Sequence, residues 1–339
     1  MEKLNWIYDL KNFDIYKLTF KSKALKNNRL KDSNEKNHIV LKPKKVKKDL
    51  PVVFMLSGYL GNGDQKFNLK SFELNQVQQL DKCVSEKKAP LAAYVFVDGF
   101  SSWGGSQFIN SALVGNFEDM IVKELASEIA KLPETQGKGQ QWALMGGSSG
   151  GYGALHLGSK FPEVFPWIVA VAPDSFFEAS LKPEITTASV EIAQKGGLKE
   201  TIKLHKKGKL LKQRNGFKVL NALAMAACYS NKVSNDRSPI LPIDMHTGEI
   251  DKKVWNEWLK KDPIHFLKSR AAKLKKTKGV YLTCGSKDQF FLQFGSRQIH
   301  SLLKSIKVKH EYIEFDGGHF DLSTRNPSCW VYLLDSWSK

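Results

Sequence analysis

Six short apolar runs, each followed within two residues by glycine or aspartate, constrain the fold of this chain more than any other feature. They occupy residues 51–56, 92–97, 142–145, 167–172, 279–284 and 310–315. A continuous apolar run of this kind is typical of a strand that is buried on both faces of a parallel sheet. Amphipathic segments with helical spacing, including 116–132 and 296–306, lie between the runs. This alternation predicts an α/β fold with a mainly parallel central sheet and helices on both faces.

Local signals add three predictions. Residues 15–20 alternate between apolar and polar side chains, which indicates a further strand. Asn116 is expected to cap the helix 116–132, whose first turn is acidic and therefore suits the positive end of the helix dipole. The lysine-rich tract 42–48 has the composition of a nuclear import signal, but its position before an apolar run favours a solvated hairpin loop between strands.

Residues 175–270 interrupt the alternation because they carry no convincing strand. They include a basic patch, residues 195–218, in which Glu200 is the single acidic residue. An insertion of this length without secondary structure of its own is uncommon in a compact domain. We therefore expect one domain over residues 1–339, with an extended helical cap at about 175–270.

The chain carries a large excess of positive charge. Its 339 residues include 52 lysines and arginines against 34 aspartates and glutamates, a formal net charge of +18. Such a charge favours contact with something anionic, whether nucleic acid, a membrane surface or an acidic polymer, without selecting among them. Any protein with this charge is expected to bind nucleic acid weakly, so such binding would not indicate a specific partner. We predict no specific nucleic-acid partner.

The sequence indicates neither a metal site nor an export signal. The cysteines, at positions 83, 228, 284 and 329, include no CxxC pair, so we expect no zinc site, disulfide framework or cofactor. The first ten residues lack the apolar core of a signal peptide, and no apolar run approaches the ~18 residues that span a bilayer. These features predict a cytoplasmic protein.

The strongest chemical signal is a glycine-rich turn after the third apolar run. The sequence at 142–155 is WALMGGSSGGYGAL, which contains the pattern G-x-S-x-G. Between a strand and a helix this pattern is typical of a nucleophile elbow, because the tight turn excludes side chains two positions on either side of the serine. The pattern fits twice, centred on Ser148 or on Ser149, and does not separate them. The lysine of a phosphate-binding loop is absent from it.

A serine nucleophile needs a base, and the base needs an acid that orients it. In this fold the acid and then the histidine follow the serine along the chain. His319 comes directly after the last apolar run, behind two glycines that leave room for the imidazole to reach the serine. Asp288, just past the fifth run, is the predicted acid, and Asp174, just past the fourth, is the alternative.

Two loops after strand ends are predicted to complete the site. The loop 57–62 stands where this fold supplies a second oxyanion N–H group, and the Tyr59 N–H is the candidate donor. The stretch 101–110 follows another strand and is expected to face the same crevice. It is either a packed surface loop or a source of substrate-binding residues, which would be Trp103, Gln107 and Asn110.

Together these residues resemble the putative-esterase family of α/β-hydrolases, which includes S-formylglutathione hydrolases, enterochelin esterases, feruloyl esterase domains and mycolyltransferases. The elbow GGSSGGYGAL is similar to the family's GxSxGGxGAL, and FEDMIVKEL at 117–125 is similar to its YEDYxVxEL. The segments MLSGY, CGSKD and FDGGH, which end at residues 59, 288 and 319, resemble its oxyanion, acid and histidine segments. An uncharacterised bacterial subgroup shares further features with residues 104–111, 241–249 and 254–258.

The resemblance implies an α/β-hydrolase fold and serine esterase chemistry without a cofactor. Carried over by position, the nucleophile is Ser148, the acid Asp288 and the base His319. Backbone N–H groups of Tyr59 and Ser149 would then stabilise the oxyanion. Ser149 replaces a methionine that many members have. The substrate would be a small ester, and the basic insertion raises the option of an anionic one. An acyltransferase with the same acyl-enzyme, or a non-enzymatic binding protein on this scaffold, are the alternatives.

Overall fold

The structure is a computed structural model that describes residues 1–6, 9–45, 49–135 and 141–338. Within those residues, eleven strands form one large sheet and a short separate hairpin. The strands are β1 (Glu2–Leu4), β2 (Phe13–Lys21), β3 (Glu35–Pro43), β4 (Val52–Leu56), β5 (Ala93–Phe96), β6 (Asn110–Ser111), β7 (Gly115–Asn116), β8 (Trp142–Gly147), β9 (Trp167–Val171), β10 (Gly279–Gly285) and β11 (His310–Phe315).

The large sheet has the strand order β1-β2-β3-β5-β4-β8-β9-β10-β11. The pairs from β5 to β11 are all parallel, whereas β1, β2 and β3 form an antiparallel extension at one edge. Each of the six apolar runs is a strand of the parallel part, and the alternating segment 15–20 lies in β2. The predicted α/β fold with a mainly parallel sheet is therefore confirmed.

Helices cover both faces of this sheet. They are α1 (Gln76–Ser85), α2 (Phe117–Asp119), α3 (Ala126–Ala130), α4 (Ser149–Lys160), α5 (Phe177–Ser180), α6 (Lys182–Gln194), α7 (Leu198–Lys206), α8 (Gly216–Tyr229), α9 (Lys252–Leu259), α10 (Pro263–Ser269), α11 (Ala271–Leu274), α12 (Leu292–Ser305) and α13 (Asn326–Trp337). Alternate residues of β4 enter different cores: Val52, Phe54 and Leu56 pack with α4, α6 and α8, whereas Val53 and Met55 pack with α1 and α13. The two-sided burial explains why the strand reads as a continuous apolar run.

Three local predictions need correction. Strand β11 is an edge strand with partly exposed residues, so it is not buried on both faces. Asn116 precedes the predicted helix, but its side chain makes no capping hydrogen bond. That helix is continuous over 117–130 but includes a π-helical turn, Met120–Leu125. Strands β3 and β4 are separated by β5, so the lysine-rich tract between them does not close a hairpin; its residues 46–48 lie outside the described residues.

The segment 175–270 is built from helices α5 to α10 with one isolated β-bridge, in line with the absence of strand signals. Asp262, at the start of α10, fixes the beginning of this segment to its end. Its carboxylate accepts hydrogen bonds from the backbone N–H groups of Phe176 and Phe177 at 3.0 and 2.6 Å. Within the described residues, no helix is both long enough and apolar enough to cross a bilayer.

A cluster of ionisable side chains connects helix α4 to Glu118 of helix α2. The His156 imidazole Nε2 lies 2.6 Å from Glu118 Oε2, and the Lys160 ammonium donates to the other oxygen of Glu118 at 2.7 Å. Burial lowers the pKa of His156 to about 4, against the opposing effect of Glu118. Burial disfavours the charged form of Glu118, but the hydrogen bonds from His156 and Lys160 outweigh it and lower the pKa to about 2.

These shifts predict that the free energy of unfolding falls on acidification. Below pH 6.5 the unfolded chain protonates His156 while the folded protein does not, until the pH reaches about 4. Over that range the free energy of unfolding of the His156→Gln variant is expected to fall less steeply with pH than that of the wild type, by up to about 1.4 kcal/mol per pH unit. Urea unfolding at pH 7, 6 and 5 measures this. The variant of the exposed His246, His246→Gln, is the control, and an equal change in both variants would contradict the assignment.

Candidate active site

The elbow joins β8 to α4 at a single strained residue. Ser148 lies between Gly147, the end of β8, and Ser149, the start of α4, with φ 56° and ψ −125°. A residue other than glycine in this region costs on the order of 1–3 kcal/mol and persists only where its surroundings hold it. Here its N–H donates to the carbonyl of Val171 at 2.9 Å. The turn therefore presents the serine side chain at the carboxyl edge of the sheet.

Glycines make this turn possible by allowing close backbone approach. A Cβ atom at Gly150 would lie 2.1 Å from the carbonyl oxygen of Leu56, and one at Gly146 would lie 2.4 Å from the backbone of Gly150. Both contacts are with backbone atoms, which cannot move aside as a flexible side chain can. The spacing of glycines two positions from Ser148 on each side thus has a direct steric cause.

A chain of hydrogen bonds connects three of the predicted residues. The Oγ atom of Ser148 lies 3.1 Å from Nε2 of His319, and Nδ1 of the same imidazole lies 2.7 Å from Oδ2 of Asp288. The Asp288 side chain is completely buried, and its other oxygen accepts the N–H of Phe290 at 2.9 Å. The side chain of Gln289 accepts the backbone N–H of His319 at 2.7 Å. These contacts fix the imidazole between an acceptor and a hydroxyl.

Asp174, the alternative acid, lies on the other side of the serine. Its Oδ1 accepts from Ser148 Oγ at 3.2 Å, and its Oδ2 accepts from Ser149 Oγ at 2.7 Å and from Gln107 Nε2 at 3.0 Å. Burial raises the pKa of Asp174, although the hydrogen bonds from Gln107 and Ser149 and the charge of His319 oppose the rise. Asp288 is the carboxylate that bonds to the imidazole, and Asp174 contacts both serine hydroxyls instead.

The two predicted oxyanion donors lie on backbone next to Ser148. Ser149 opens helix α4, and the first N–H groups of a helix have no acceptor within it. A Cβ atom at Gly58 would lie 3.5 Å from the Cβ of Ser148, so the loop that carries Tyr59 passes close to this serine. The Tyr59 phenol donates to the carbonyl of Trp103 at 3.0 Å, which holds this loop in place.

A cavity of about 250 Å³ opens at Ser148 and His319. It adjoins a second cavity of about 450 Å³, with which it shares the lining residues Ser180, Glu184, Phe217, Phe290 and Phe320. Phe320 is 78% exposed, so the entrance is apolar but open to solvent. A third cavity, of about 200 Å³, reaches Ser148 from the side of β4.

Among the described residues, the lining of the cavity at Ser148 includes carboxylate groups but no lysine or arginine, whereas the neighbouring cavity is lined by Lys218. Besides Asp174, the cavity at Ser148 is lined by Glu184 of α6, which accepts a hydrogen bond from Asn221 of α8 at 2.5 Å. Burial raises the pKa of Glu184 to about 6, with the hydrogen bond from Asn221 and the charge of Lys218 opposing the rise. No sequence signal pointed to these residues, because they come from helices whose inner faces cannot be recognised without the fold.

The structure brings only one of the three predicted pocket residues to this site, and indirectly. Gln107 is buried and donates to Asp174 and to the hydroxyl of Tyr229. It therefore supports Asp174, which lines the cavity, without lining the cavity itself. Trp103 lines a different cavity, and Asn110 lies beside the Glu118 cluster, where it exchanges hydrogen bonds with Asp119.

The sequence profile of the putative esterase family matches residues 32–326, most of the chain. The chain belongs to this family. Its match includes the elbow and the segments that carry Asp288 and His319. No curated protein matches the chain significantly.

Solved structures show the same fold for this putative-esterase member. A ferulic acid esterase has a TM-score of 0.60 at 16% identity, covering 96% of this chain and 99% of the other. FphF, a fluorophosphonate-binding serine hydrolase of Staphylococcus aureus, has a TM-score of 0.58 at 14% identity, covering 95% and 99%. An S-formylglutathione hydrolase from Agrobacterium tumefaciens has a TM-score of 0.55 at 14% identity, covering 99% of both chains.

Proposed function

We propose that the protein hydrolyses a carboxylic ester through an acyl-enzyme on Ser148. The observation that supports this most is the hydrogen-bonded series Asp288–His319–Ser148, in which the serine lies directly before the first residue of helix α4. Nucleophile, base and orienting acid in this geometry are the groups that acyl transfer requires. Membership of an esterase family supports the same reaction class.

In this mechanism Ser148 Oγ attacks the ester carbonyl carbon while His319 takes its proton at Nε2. Asp288 holds the imidazole in the tautomer that has Nδ1 protonated and stabilises the imidazolium as it forms. The carbonyl oxygen becomes an oxyanion that accepts hydrogen bonds from the Tyr59 and Ser149 N–H groups. Collapse of this intermediate expels the alcohol, which takes the proton from His319. A water molecule, deprotonated by His319, then releases the acid and restores the serine.

Hydrolysis rather than transfer to another alcohol is proposed because the cavity at Ser148 is open to solvent through the exposed Phe320. The test is the release of 4-nitrophenol from esters of two to eight acyl carbons, with and without added methanol. A burst of one nitrophenol per protein followed by steady turnover would support the acyl-enzyme. Absence of turnover from every ester by folded protein would contradict the proposal, and turnover that depends on the added alcohol would favour transfer.

The charge in the cavity bears on the ester that it accepts. An anionic group would face Asp174 and Glu184 in a partly desolvated site, so we propose an ester that is neutral where it enters this cavity. The anionic substrate that the basic insertion suggested is therefore not the one that we favour.

Glu184→Gln is expected to raise kcat/KM for a sulfonate-bearing ester about tenfold at pH 8, relative to a neutral ester of the same size, since it removes one like charge. At pH 5, below the pKa of about 6, Glu184 is largely protonated and the two proteins are expected to discriminate alike. The ratio of the two kcat/KM values at each pH is the measurement. Glu200→Gln, on the exposed face of α7, serves as control. A ratio that does not depend on Glu184 at either pH would refute the role of its charge.

A further inference from the structure

A larger cavity has a lining that does not include Ser148 or the other residues of the elbow. Its volume is about 790 Å³, within the range of small-molecule sites. It shares no lining residue with the cavity at Ser148. Four separate segments of the chain meet there, and their residues are Arg29, Leu30, Lys31, Ser102, Trp103, Ile202, His205, Lys206, Asn235, Asp236, Arg237 and Ser238.

The lining of this cavity, which we term the basic cavity, carries unpaired positive charge. Arg29, Lys31, Lys206 and Arg237 are exposed, and none of them forms an ion pair within the described residues. Two cations of the same region are paired, Lys195 with Glu191 and Lys203 with Glu200. Unpaired positive charges around one cavity repel one another, and a bound anion would reduce that repulsion.

The one carboxylate of the lining does not neutralise these cations. Asp236 Oδ1 accepts from Ser234 Oγ at 2.7 Å and from the Ser238 N–H at 3.1 Å, so its charge is directed into its own turn. These hydrogen bonds lower its pKa, so the one carboxylate among the lining residues is already hydrogen-bonded within its own turn.

The wall of the basic cavity is held by side-chain and backbone contacts. The His205 ring stacks on the Trp103 indole with 4.6 Å between centroids, and its Nε2 lies 2.8 Å from the carbonyl of Ser102. The Ser102 N–H donates to the Asp32 carboxylate at 2.8 Å. These contacts connect three of the four segments, including the two that carry Arg29, Lys31 and Lys206.

We propose that the basic cavity binds a small organic anion that carries two or more phosphate groups. Two arginines supply planar guanidinium groups that can each bind a phosphate through two parallel hydrogen bonds, and two lysines add point charges. Cations from three segments suit an anion whose charges are spread along its length. The site is independent of the esterase proposal because it uses none of the residues around Ser148.

The test is calorimetric titration with inorganic pyrophosphate at low salt. The wild type is expected to bind about one pyrophosphate, and the double variant Arg29→Gln/Arg237→Gln is expected to bind it at least about tenfold more weakly. The matched control is Lys207→Gln/Lys209→Gln, which loses the same charge from exposed lysines outside the lining and is expected to stay within about twofold. Equal weakening in both double variants, or no saturable binding to the wild type, would overturn the proposal.

Two further arms fix the location and the ligand chemistry. Protein that carries a fluorophosphonate adduct on its active serine is expected to bind pyrophosphate as the free protein does; loss of binding would place the anion at Ser148 and overturn the assignment. Citrate is expected to bind at least about tenfold more weakly than pyrophosphate, and equal binding would contradict the preference for phosphate. If no adduct forms, the esterase proposal fails, whereas the titration of the double variants still decides the basic cavity.

Discussion

Ser148→Ala is expected to abolish ester hydrolysis, while the variant of the neighbouring serine, Ser149→Ala, retains most of it. Loss of a serine nucleophile lowers kcat by about 10⁶ in a well-studied serine protease, and we expect a loss of that order here. Ser149 contributes its backbone N–H to the oxyanion, which alanine also supplies. The alanine removes only the 2.7 Å hydrogen bond from Ser149 Oγ to Asp174, so we expect a loss within about tenfold.

The measurement is kcat for a 4-nitrophenyl ester with each purified variant, and circular dichroism verifies that both are folded. The two variants differ by one position within the same elbow, so each controls for the other. If Ser149→Ala were inactive and Ser148→Ala active, the nucleophile would be Ser149 and the elbow would be displaced by one residue.

Asp288→Asn is expected to lower kcat by about 10⁴, as the corresponding change does in a serine protease. The amide can donate to Nδ1 of His319, which favours the tautomer with the proton on Nε2. That tautomer has no lone pair to accept the Ser148 proton across the 3.1 Å contact. The asparagine is almost isosteric, and we expect the buried site to remain folded.

Asp174→Asn is the matched comparison, and we expect it to lower kcat by less than about a hundredfold. Asp174 touches the serine hydroxyls rather than the imidazole, so its loss leaves the tautomer of His319 unchanged. Steady-state kinetics on both variants with the same ester measures the difference. A larger loss in Asp174→Asn than in Asp288→Asn would mean that Asp174 is the orienting acid.

The sequence predicted the parallel sheet because its strands are buried on both faces and therefore read as unbroken apolar runs. The same reasoning overestimated the burial of β11, which lies at the edge of the sheet and whose sequence HEYIEF includes one histidine and two glutamates. It also failed between β3 and β4, where β5 enters the sheet between two strands that are consecutive in the chain. Strand order depends on packing between distant segments, which local composition does not contain.

The elbow was predictable because its constraint is local. Backbone carbonyl oxygens leave no space for a Cβ at Gly146 or Gly150, so the glycines are visible in the sequence. The loop of Trp103, Gln107 and Asn110 was less predictable. Gln107 and the next residue, Phe108, both have positive φ, and the resulting turn sends Trp103 and Asn110 into different cavities. Neither residue type signals such a conformation in advance.

The side chains that shape the cavity at Ser148 could not be predicted at all. Glu184, Phe217 and Asn221 come from α6 and α8, in the segment where the sequence indicated only a helical insertion. The helix faces that line the cavity at Ser148 depend on the path that residues 175–270 take across the sheet. Asp262 contributes to that path through two backbone hydrogen bonds, and nothing in its sequence context distinguishes it from an ordinary helix cap.

The central claim is that Ser148 is the nucleophile of a serine esterase, and mapping a fluorophosphonate adduct tests it most directly. A fluorophosphonate is attacked by a serine that a neighbouring base activates, so the reagent reports the nucleophile directly. The native protein is labelled, digested and sequenced by tandem mass spectrometry, with heat-denatured protein as control. We expect one adduct, on Ser148, in the native sample and none in the denatured one. An adduct on Ser149, or no adduct on folded protein, would contradict the account.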